Sequence, residues 1–331
     1  MRGNGMDTPI MVSVLCTAYN HENYIREALD SMVGQQTDFA YEILVSDDVS
    51  TDRTAAIIRE YEAKYPDKVR GFYMTENLYS QGRDVYYEVF FPNARGKYTA
   101  FCEGDDCWTD MTKLQRQVDF LESHPDYTAC VHATELLKCE GARQEETLAV
   151  READCDMEFT DILPGMSHAW HTSSLLGRTD LLANPPDFYT IAADAGFGDF
   201  PYALWLRLNG KIRYLARSMS RYRLSSGADS WSADQEKQTS RRTRFFRGVI
   251  DMLTAFKAHT EDEALRKLTD AWIDRWSFQL LYTLGKDREL RKPPYRAILR
   301  EKPLAFRAKN FVKCAFPALH RLYRRRRGYN E

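Results

Sequence analysis

Two runs of acidic residues follow apolar stretches that have the composition of buried strands. The first is Ser46–Asp52, directly after residues 41–45, and the second is Glu103–Trp108, directly after residues 98–102. Neighbouring carboxylates repel each other, so a fold retains them where a cation, a hydroxyl ligand or a helix N-terminus stabilises them. The two runs therefore predict either ligand sites or helix caps.

The two roles divide differently between these carboxylates. Asp52 and Asp110 precede predicted helices, which favours capping. Asp105 and Asp106 directly follow an apolar strand, where a buried carboxylate pair is costly without a metal ion. Oxygen ligands suit Mg²⁺ or Mn²⁺ and do not suit zinc, and such a cation takes one or two carboxylates plus substrate phosphates. Asp105 and Asp106 therefore predict a site for Mn²⁺ or Mg²⁺.

The turn after the first apolar run, Thr17–Asn20, contains no glycine-rich phosphate loop. It lacks the Gly-x-Gly-x-x-Gly pattern of dinucleotide-binding folds, and the chain has no Gly-Lys-Ser/Thr loop. Tyr19 in this turn can stack on a nucleobase, while Asp48 accepts a hydrogen bond from the base or the ribose. These residues favour a nucleotide held by an aromatic ring and a carboxylate.

The surrounding elements alternate between strand and helix. Short apolar runs predict strands, and apolar residues spaced three or four apart predict helices between them. Strands are predicted at residues 11–16, 41–45, 69–74, 98–102, 127–131 and 211–216, and helices at 24–33, 57–65, 114–121 and 199–208. Asn20 is predicted to cap the first helix and Gly34 to end it. The alternation predicts an α/β fold with a mostly parallel sheet flanked by helices, whose ligands collect at the carboxyl ends of the strands.

Three segments together resemble the signature of family 2 glycosyltransferases. They are Val12–Asn20 (VSVLCTAYN), Ser46–Asp52 (SDDVSTD) and Glu103–Trp108 (EGDDCW), in the family's order and spacing. The resemblance covers about residues 10–225. It implies the GT-A fold, which is a nucleotide-binding α/β sheet.

The resemblance also implies roles for particular residues. Thr17, Tyr19 and Asp48 match the residues that hold the base and ribose of the nucleotide. Asp106 matches the direct metal ligand, and Asp105 matches the residue that faces the ribose. The predicted nucleotide-binding set is Thr17, Ala18, Tyr19, Asn20, Glu22, Asp48 and Asp105.

The segment Gly198–Pro201 resembles the part of the family fold that supplies the catalytic base, which would be Asp199. Displacement of a nucleoside diphosphate from a sugar C1 needs a base that takes the proton of the acceptor hydroxyl. The alternative role for Asp199 is an N-cap of the helix that follows.

The chain departs from the family pattern at three positions. Cys16 stands where many members have Pro, Val49 where many have Gly, and Glu103 where Asp is commoner. Val49 cannot easily adopt a positive φ. The chain also lacks the membrane-spanning segments of the family's processive synthases, which favours an enzyme that makes single transfers.

Five further residues are predicted substrate contacts: Arg83, Glu103, Trp108, His168 and His171. The two histidines are candidates for a third metal ligand or an acceptor contact, and the alternative is a structural histidine with satisfied hydrogen bonds. Trp108 either stacks on a sugar ring or fills the core. Arg83 follows the third strand, where it can meet a phosphate.

Composition places the chain among ordered globular proteins. Its 331 residues are 44% hydrophobic and 13% aromatic, which supports a large core. No apolar run approaches the roughly 18–20 residues of a membrane-spanning helix, and the N-terminus has no apolar core of a signal peptide. The seven cysteines include no Cys-x-x-Cys pair, which favours buried free thiols over a disulfide framework or a zinc site. We expect a cytoplasmic protein.

Charge is distributed unevenly along the chain. Residues 291–331 contain thirteen Lys or Arg and two Glu, so the net charge of −2 combines a basic segment with an acidic body. Aromatic residues interleave with these basic ones, a pattern typical of attachment to an anionic membrane surface. The alternative is an ordinary solvated helix end. Nucleic acid is not an expected partner, because the acidic body would repel phosphate.

These observations predict a catalytic domain at residues 1–228 and a helical region with a basic tail at 229–331. The predicted activity is inverting, metal-dependent transfer of a sugar from a nucleotide sugar, with UDP as the expected nucleotide. The expected acceptor is a saccharide or a lipid-linked sugar in cell-surface polysaccharide synthesis, and the expected location extends to the inner face of the membrane. Two alternatives are a non-catalytic module that binds nucleotide sugars or glycans, and a divalent-metal nucleotidyltransferase.

Overall fold

Ten strands form one sheet within residues 9–138, 144–148, 151–166, 169–224 and 238–315, which are the residues that the computed structural model describes. The strands are β1 (Ile10–Ala18), β2 (Ala40–Asp47), β3 (Val69–Tyr73), β4 (Tyr98–Phe101), β5 (Cys107–Trp108), β6 (Tyr127–Lys138), β7 (Gln144–Leu148), β8 (Cys155–Asp156), β9 (Leu176–Arg178) and β10 (Lys211–Leu224). The order across the sheet is β3-β2-β1-β4-β9-β6-β10-β5, with β7 paired to β6 and β8 to β10.

Helices lie between and after these strands. They are α1 (Ile25–Val33), α2 (Thr54–Lys64), α3 (Phe91–Asn93), α4 (Lys113–Ser123), α5 (Phe159–Ile162), α6 (Thr179–Ala183), α7 (Asp187–Asp194), α8 (Asp199–Asn209), α9 (Gln238–Phe256), α10 (Glu263–Thr283), α11 (Tyr295–Glu301) and α12 (Leu304–Ala315). The predicted helices over residues 24–33, 57–65, 114–121 and 199–208 are thereby confirmed to within a few residues.

The half of the sheet formed by β3, β2, β1 and β4 is parallel, as the strand and helix alternation predicts. Val14 and Cys16 of β1 are fully buried, as are Ile43 and Val45 of β2, because helices cover the sheet. The apolar side chains of α1, α2 and α4 join these strands in one core. Parallel alignment places the carboxyl ends of β1, β2 and β4 at one edge of the sheet, where both acidic runs begin.

The other half of the sheet is mixed. β9 pairs antiparallel with both β4 and β6, whereas β6 and β10 pair parallel. β10 is 14 residues long and continues well beyond residue 216, where the sequence pattern ends the strand. Its last part lies beside β5, with Arg221 opposite Cys107. The extra length of β10 therefore brings a second polypeptide segment to the acidic run that follows β4.

Free thiols lie in the core, as the sequence predicts for most of the cysteines. Cys16, Cys102, Cys107 and Cys130 are all buried. Burial raises the pKa of the Cys16 and Cys130 thiols, so these side chains behave as small neutral hydrophobes.

The described residues divide into two compact units. One comprises residues 9–189 and 198–224, and the other comprises 190–197 and 238–315. The second unit is helical, and the buried part of its core includes Phe278, Leu290 and Ile298. Among the described residues, no helix has both the length and the apolar character needed to cross a membrane.

Candidate active site at the carboxyl ends of the strands

The turns after β1 and β2 are tied together by hydrogen bonds. The backbone N–H of Asn20 donates to Ser50 Oγ (2.9 Å), and Asn20 Oδ1 accepts from the backbone N–H of Thr51 (2.8 Å). The prediction that Asn20 caps the first helix is wrong, because α1 begins at Ile25 with Tyr24 at the N-cap position. The left-handed backbone of Asn20 (φ 54°) directs its side chain to the second turn instead.

Glu22 and Asp52 extend this connection. The backbone N–H of Glu22 donates to Asp52 Oδ2 (3.0 Å), and Glu22 Oε2 accepts from the backbone N–H of Arg53 (3.1 Å). Asp52 Oδ1 also accepts from the backbone N–H of Thr54, the first residue of α2. Asp52 therefore binds the first residue of α2, although Arg53 and not Asp52 occupies the N-cap position. Glu22 links the turns after β1 and β2.

Asp48 lies between the end of β1 and the segment after β3. Its backbone N–H donates to the carbonyl oxygen of Ala18 (3.0 Å), and its carboxylate accepts from the backbone N–H groups of Leu78 (2.7 Å) and Tyr79 (3.1 Å). Asp48 thus positions residues 77–79 at the same edge of the sheet as the Thr17–Asn20 turn. Tyr19, the predicted stacking residue, is 41% exposed and accessible to a base.

Two other predicted contacts, Thr17 and Arg83, already have protein partners. The Thr17 hydroxyl shares a hydrogen bond with Tyr86, and burial raises the pKa of Tyr86 well above its usual range. Arg83 is exposed and forms an ion pair with Glu88. A phosphate would therefore compete with Glu88 for the guanidinium group.

The acidic run after β4 packs tightly against the end of β1. The backbone N–H of Gly104 donates to the carbonyl oxygen of Thr17 (2.8 Å), and a Cβ on Gly104 would lie only 2.9 Å from His21 Nδ1 and from Ile25 Cδ1. A larger residue at this position would require the His21 and Ile25 side chains to move. The backbone N–H of Asp106 then turns back to the carbonyl oxygen of Glu103 (3.0 Å).

Two carboxylate oxygens in this run are buried without hydrogen-bond partners among the described residues. They are Asp106 Oδ2 and Glu103 Oε2. Burial raises the pKa of Asp106 well above its usual range, and the charges of Glu103 and Asp105 raise it further. Burial also raises the pKa of Glu103 to about 7, with added contributions from Asp105 and Asp199. A buried oxygen with no donor is a costly arrangement that a cation would stabilise.

The carboxylates fit a hard divalent cation that substrate oxygens help to coordinate. Within the described ranges, no three His, Cys, Asp or Glu side chains form a metal-binding group. Mg²⁺ and Mn²⁺ commonly bind one or two carboxylates and complete their shell with water or phosphate oxygens, so a full protein cage is not required. The donor set at Asp106 and Glu103 is compatible with that mode.

Arg223 of β10, which is not among the predicted site residues, holds the acidic run in place. Its backbone N–H donates to Asp106 Oδ1 (3.1 Å), its Nε donates to the carbonyl oxygen of Asp105 (3.0 Å), and its Nη2 contacts Glu27 (2.8 Å). The guanidinium also lies over the Tyr24 ring at 4.6 Å. Polar and apolar residues alternating beyond residue 216 were the available signal that β10 continues to this point.

Asp105 and His21 form a second polar contact in the site. Asp105 Oδ2 lies 3.8 Å from His21 Nε2. Burial lowers the pKa of His21, although Asp105 and Asp52 act in the opposite direction. The imidazole is another site residue that the sequence analysis did not select.

His171 lies next to Asp106 on the β10 side. Its Nδ1 is 3.7 Å from Asp106 Oδ2, 2.9 Å from Ser173 Oγ and 3.3 Å from the backbone nitrogen of Ser173. The ring stacks on Tyr222 with centroids 3.9 Å apart, and burial lowers the His171 pKa to about 4. The contacts of Nδ1 with Ser173 fit the alternative of a structural histidine, and a metal ligand or acceptor contact through Nδ1 would have to replace them. His168 lies outside the described residues.

Trp108 is buried, and its indole N–H donates to the carbonyl oxygen of Ser173 (3.0 Å). The Lys113 ammonium lies 4.3 Å from the centre of its ring. These contacts support the core role for Trp108 of the two that the sequence left open.

Asp199 lies in the first turn of α8, and Gly198 occupies the N-cap position. Asp199 Oδ1 accepts from the backbone N–H of the next residue, Phe200 (2.8 Å). Burial raises the pKa of Asp199, and the charge of Asp199 in turn raises the pKa of Glu103. Asp199 therefore belongs to the same electrostatic cluster as the acidic run. A carboxylate with a raised pKa suits proton abstraction better than an ordinary surface carboxylate does.

Comparison with known proteins gives matches across the chain. The family model for glycosyl transferase family 2 matches residues 13–159. The chain is 33% identical over 269 residues to an uncharacterised protein of Mycobacterium tuberculosis, covering 80% of this chain and 74% of that one. It is 32% identical over 113 residues to the Escherichia coli UDP-Glc:alpha-D-GlcNAc-diphosphoundecaprenol beta-1,3-glucosyltransferase WfaP, covering 34% of this chain and 42% of that one.

Two solved structures share the fold. S. aureus TarS 1–349 in complex with UDP-GlcNAc superposes with a TM-score of 0.59 at 19% identity, over 92% of this chain and 81% of that one. The mannosyltransferase PcManGT from Pyrobaculum calidifontis, in complex with GDP-Man and Mn²⁺, gives a TM-score of 0.51 at 17% identity, over 92% and 87%. These matches confirm the predicted GT-A fold with a helical C-terminal region.

Proposed function

The chain belongs to glycosyl transferase family 2 and is a glycosyltransferase, and from this premise we propose that it transfers a sugar from a UDP-sugar, with inversion and with the help of a divalent cation. The observation that carries the proposal is the cluster of Glu103, Asp106 and Asp199, in which two buried carboxylate oxygens have no donor among the described residues. The proposed acceptor is a saccharide or a lipid-linked sugar in cell-surface polysaccharide synthesis.

The donor nucleotide would bind where the turns after β1 and β2 meet. Tyr19 is exposed there and can stack on the base. The Asp48 carboxylate accepts hydrogen bonds from two backbone N–H groups, so it would position residues 77–79 beside the nucleobase. Asp105 would face the ribose. UDP is the nucleotide in the TarS complex and in the donor that the WfaP name specifies, which supports a UDP-sugar here.

Asp106 would hold Mn²⁺ or Mg²⁺, with Glu103 beside it and His171 as a candidate third ligand. A bound cation would neutralise charge on the departing diphosphate. Arg223 contributes by fixing Asp106 through its backbone N–H and Asp105 through its guanidinium. The direction of the Asp106 carboxylate is thereby set before substrate binds.

Asp199 would take the proton from the acceptor hydroxyl as that oxygen attacks C1 of the sugar. The bond from C1 to the diphosphate oxygen breaks as the new glycosidic bond forms, so attack opposite the leaving group inverts the anomeric centre. Holding both substrates in this arrangement can lower the activation barrier by about 7–11 kcal/mol. The raised pKa of Asp199, caused by burial, helps the carboxylate to accept a proton.

We further propose that the protein works at the inner face of the cell membrane. The basic segment 291–331 has thirteen Lys or Arg and two Glu, which favours an anionic surface. The name of WfaP specifies a diphosphoundecaprenol acceptor, and an acceptor of that lipid-linked kind would lie in a membrane.

The test is a panel of nucleotide sugars assayed for released nucleotide and for transferred sugar, with Mn²⁺, Mg²⁺ or EDTA. We expect UDP release that EDTA abolishes, and loss of transfer in Asp106→Ala and in Asp199→Asn. Asp199→Asn should still bind UDP in calorimetry, because the proposed role of Asp199 is toward the acceptor hydroxyl and not toward the nucleotide. Asp119→Asn, an exposed acid on α4, is the matched control and should retain full activity.

Three outcomes would contradict parts of the proposal. Transfer at the parental rate by Asp106→Ala or Asp199→Asn would remove the role assigned to that residue. UDP binding without turnover on any donor would indicate a binding module. Release of pyrophosphate instead of nucleoside diphosphate would indicate a nucleotidyltransferase.

A further inference from the structure

Helix α12 (Leu304–Ala315) carries its apolar side chains on the outside of the helical unit. Leu304 is 75% exposed, Phe311 is 50% exposed and Val312 is 44% exposed. Residues separated by three, four, seven or eight positions share one face of a helix. The stripe comprises Leu304, Ala305, Ala308, Phe311, Val312 and Ala315, all of them exposed. A helix of a water-soluble unit normally turns such a stripe inward.

Polar contacts on the opposite face fix this orientation. Asn310 is 2% exposed, its Nδ2 donates to Asp287 Oδ1 (2.9 Å), and its Oδ1 accepts from Arg291 Nε (3.3 Å). Lys313 Nζ also lies 3.4 Å from Asp287. Rotation of α12 to bury the apolar stripe would break these hydrogen bonds and leave Asp287 without them. The outward stripe is therefore part of the folded structure.

Two aromatic contacts hold the same inner face. The Phe306 ring packs against Tyr282 and Phe278, with centroids 4.9 Å and 6.3 Å apart. Phe306 and Phe311 thus lie on opposite sides of α12. Phe306 packs into the unit, whereas Phe311 is half exposed and has the Arg291 guanidinium 5.1 Å from the centre of its ring.

Positive charge borders the exposed stripe. Arg307 and Lys309 are exposed, and their positions place them at its two edges. Residues 291–315 contain eight Lys or Arg and one acidic residue, Glu301, which pairs with Arg275 (2.8 Å). Long cationic side chains beside an apolar stripe can reach phosphate groups while the stripe enters the acyl boundary.

We infer that the exposed face of α12 is a docking surface for an anionic lipid bilayer, with Leu304, Phe311 and Val312 entering the interface and Arg307 and Lys309 contacting lipid phosphates. The inference rests on the peripheral-membrane part of the proposed function, and it names the face that would make the contact. An anionic bilayer is the occupant that satisfies both the apolar stripe and the one-sided positive charge. A neutral apolar partner would satisfy only the stripe.

The test is co-sedimentation of the full chain with vesicles of phosphatidylcholine alone or of phosphatidylcholine with about 30% phosphatidylglycerol. We expect binding to the anionic vesicles, and binding at least about tenfold weaker for Leu304→Ser with Phe311→Ser, since two apolar side chains that would enter the bilayer interface are removed. Arg307→Glu with Lys309→Glu should weaken binding by a similar factor through charge alone. Met111→Ser, which changes a side chain 52% exposed in the other unit, is the matched control and should bind as the parent does.

A second measurement follows the ring directly. Phe311→Trp should bind anionic vesicles like the parent and show a blue-shifted increase in fluorescence, because the indole enters the interface. Both serine substitutions are at exposed positions, so the unfolding midpoint should change little.

Five results would overturn the inference. The double serine variant would bind like the parent, or Phe311→Trp fluorescence would not respond to vesicles. If removal of residues 316–331 abolished binding and the double serine variant did not, charge in that segment would be the attachment and α12 would not. If the parent were a dimer that the double serine variant converted to a monomer, a second copy would cover the stripe. Absence of any vesicle binding would remove membrane attachment altogether while the transfer assay still tested glycosyl transfer.

Discussion

Asp106 and Phe311 illustrate two opposite departures from the usual partition between core and surface. The Asp106 carboxylate is 3% exposed and has one oxygen without a hydrogen-bond donor among the described residues, whereas the Phe311 ring is half exposed to water. Each arrangement is locally unfavourable, and surrounding contacts maintain both. The backbone N–H of Arg223 holds Asp106, and the hydrogen bonds of Asn310 set the rotation of α12.

The difference between the two regions indicates different ligands. Buried carboxylates are stabilised by a cation and by the charged substrate that it binds. An exposed apolar stripe bordered by cations is stabilised by an anionic bilayer. Departures from local rules are expected where a protein binds something, so the sign of each departure indicates the chemistry of its ligand.

Asp106→Asn tests the first region and should produce the largest effect. We expect transfer to fall by about a thousandfold or more, because the amide cannot replace a carboxylate ligand. The free energy of unfolding of the free protein should rise by about 1 kcal/mol, because an uncharged group is buried in place of a carboxylate. Transfer assays and thermal melts without divalent cation measure the two effects. A less stable and fully active variant would show that Asp106 is a structural residue.

The two phenylalanines of α12 test the second region. Phe306→Ala should destabilise the helical unit by about 2–3 kcal/mol, since its ring packs on Phe278 and Tyr282. Phe311→Ala should change stability by less than about 1 kcal/mol, since its ring is half exposed and loses a cation–π contact with Arg291, an exposed side chain. Hydrogen exchange of peptides from α10 and α12 measures both, and only Phe306→Ala should reduce protection. Equal losses would mean that the stripe is part of a buried core.

Sequence reasoning predicted the first region well because its signals are local. Apolar runs predicted β1 to β4, and carboxylates directly after a strand predicted the acidic site at the edge where the parallel strands end. The structure places Asp106 beside His171, and the charge of Asp199 raises the pKa of Glu103. The roles of these residues in transfer stay predictions, as does the boundary at residues 228 and 229.

The rest could not be predicted from local pattern, because it depends on contacts between distant segments. Arg223 and Asp106 are separated by 117 positions, and the partnership depends on the length of β10. Asn20 is a residue type that commonly caps helices, but here it forms hydrogen bonds with residues 50 and 51. The direction of α12 depends on Asp287, since the spacing of its apolar residues equally fits an inward face.

Lys113 tests whether burial of charge alone marks a ligand site. It is fully buried, but its ammonium donates to Gln117 Oε1 (2.8 Å) and lies over Trp108, so its contacts are made within the protein. Burial lowers the Lys113 pKa to about 7, whereas the unfolded chain keeps the usual value near 10.5. The unfolded state therefore binds the proton more tightly, and stability should rise as pH increases from about 7 toward 10.

Lys113→Met should remove that dependence. Between pH 7 and 9 the parent should gain about 2 kcal/mol relative to the variant, and the variant should be the more stable protein at pH 7. Urea unfolding at several pH values measures the difference. Transfer activity should stay within about twofold, in contrast to Asp106→Asn. A large loss of activity at unchanged stability would place Lys113 in the active site and break the distinction between satisfied and unsatisfied buried charge.

Val49 tests backbone strain beside the same site, where the expected effect is smallest. Its φ of 65° is unfavourable for a β-branched residue, so Val49→Gly should relieve about 1–2 kcal/mol of strain and lose part of that to the greater entropy of the unfolded chain. We expect a net gain of about 0.5–1 kcal/mol in the free energy of unfolding.

Asn20→Gly is the matched control, since Asn20 has a similar φ of 54° and accepts hydrogen bonds from Thr51. That variant should lose about 1 kcal/mol, because the contacts disappear and little strain is relieved. Opposite signs at two left-handed positions would show that Val49 is strained and Asn20 is not, whereas destabilisation by both would mean that the Val49 side chain contributes contacts worth more than its strain.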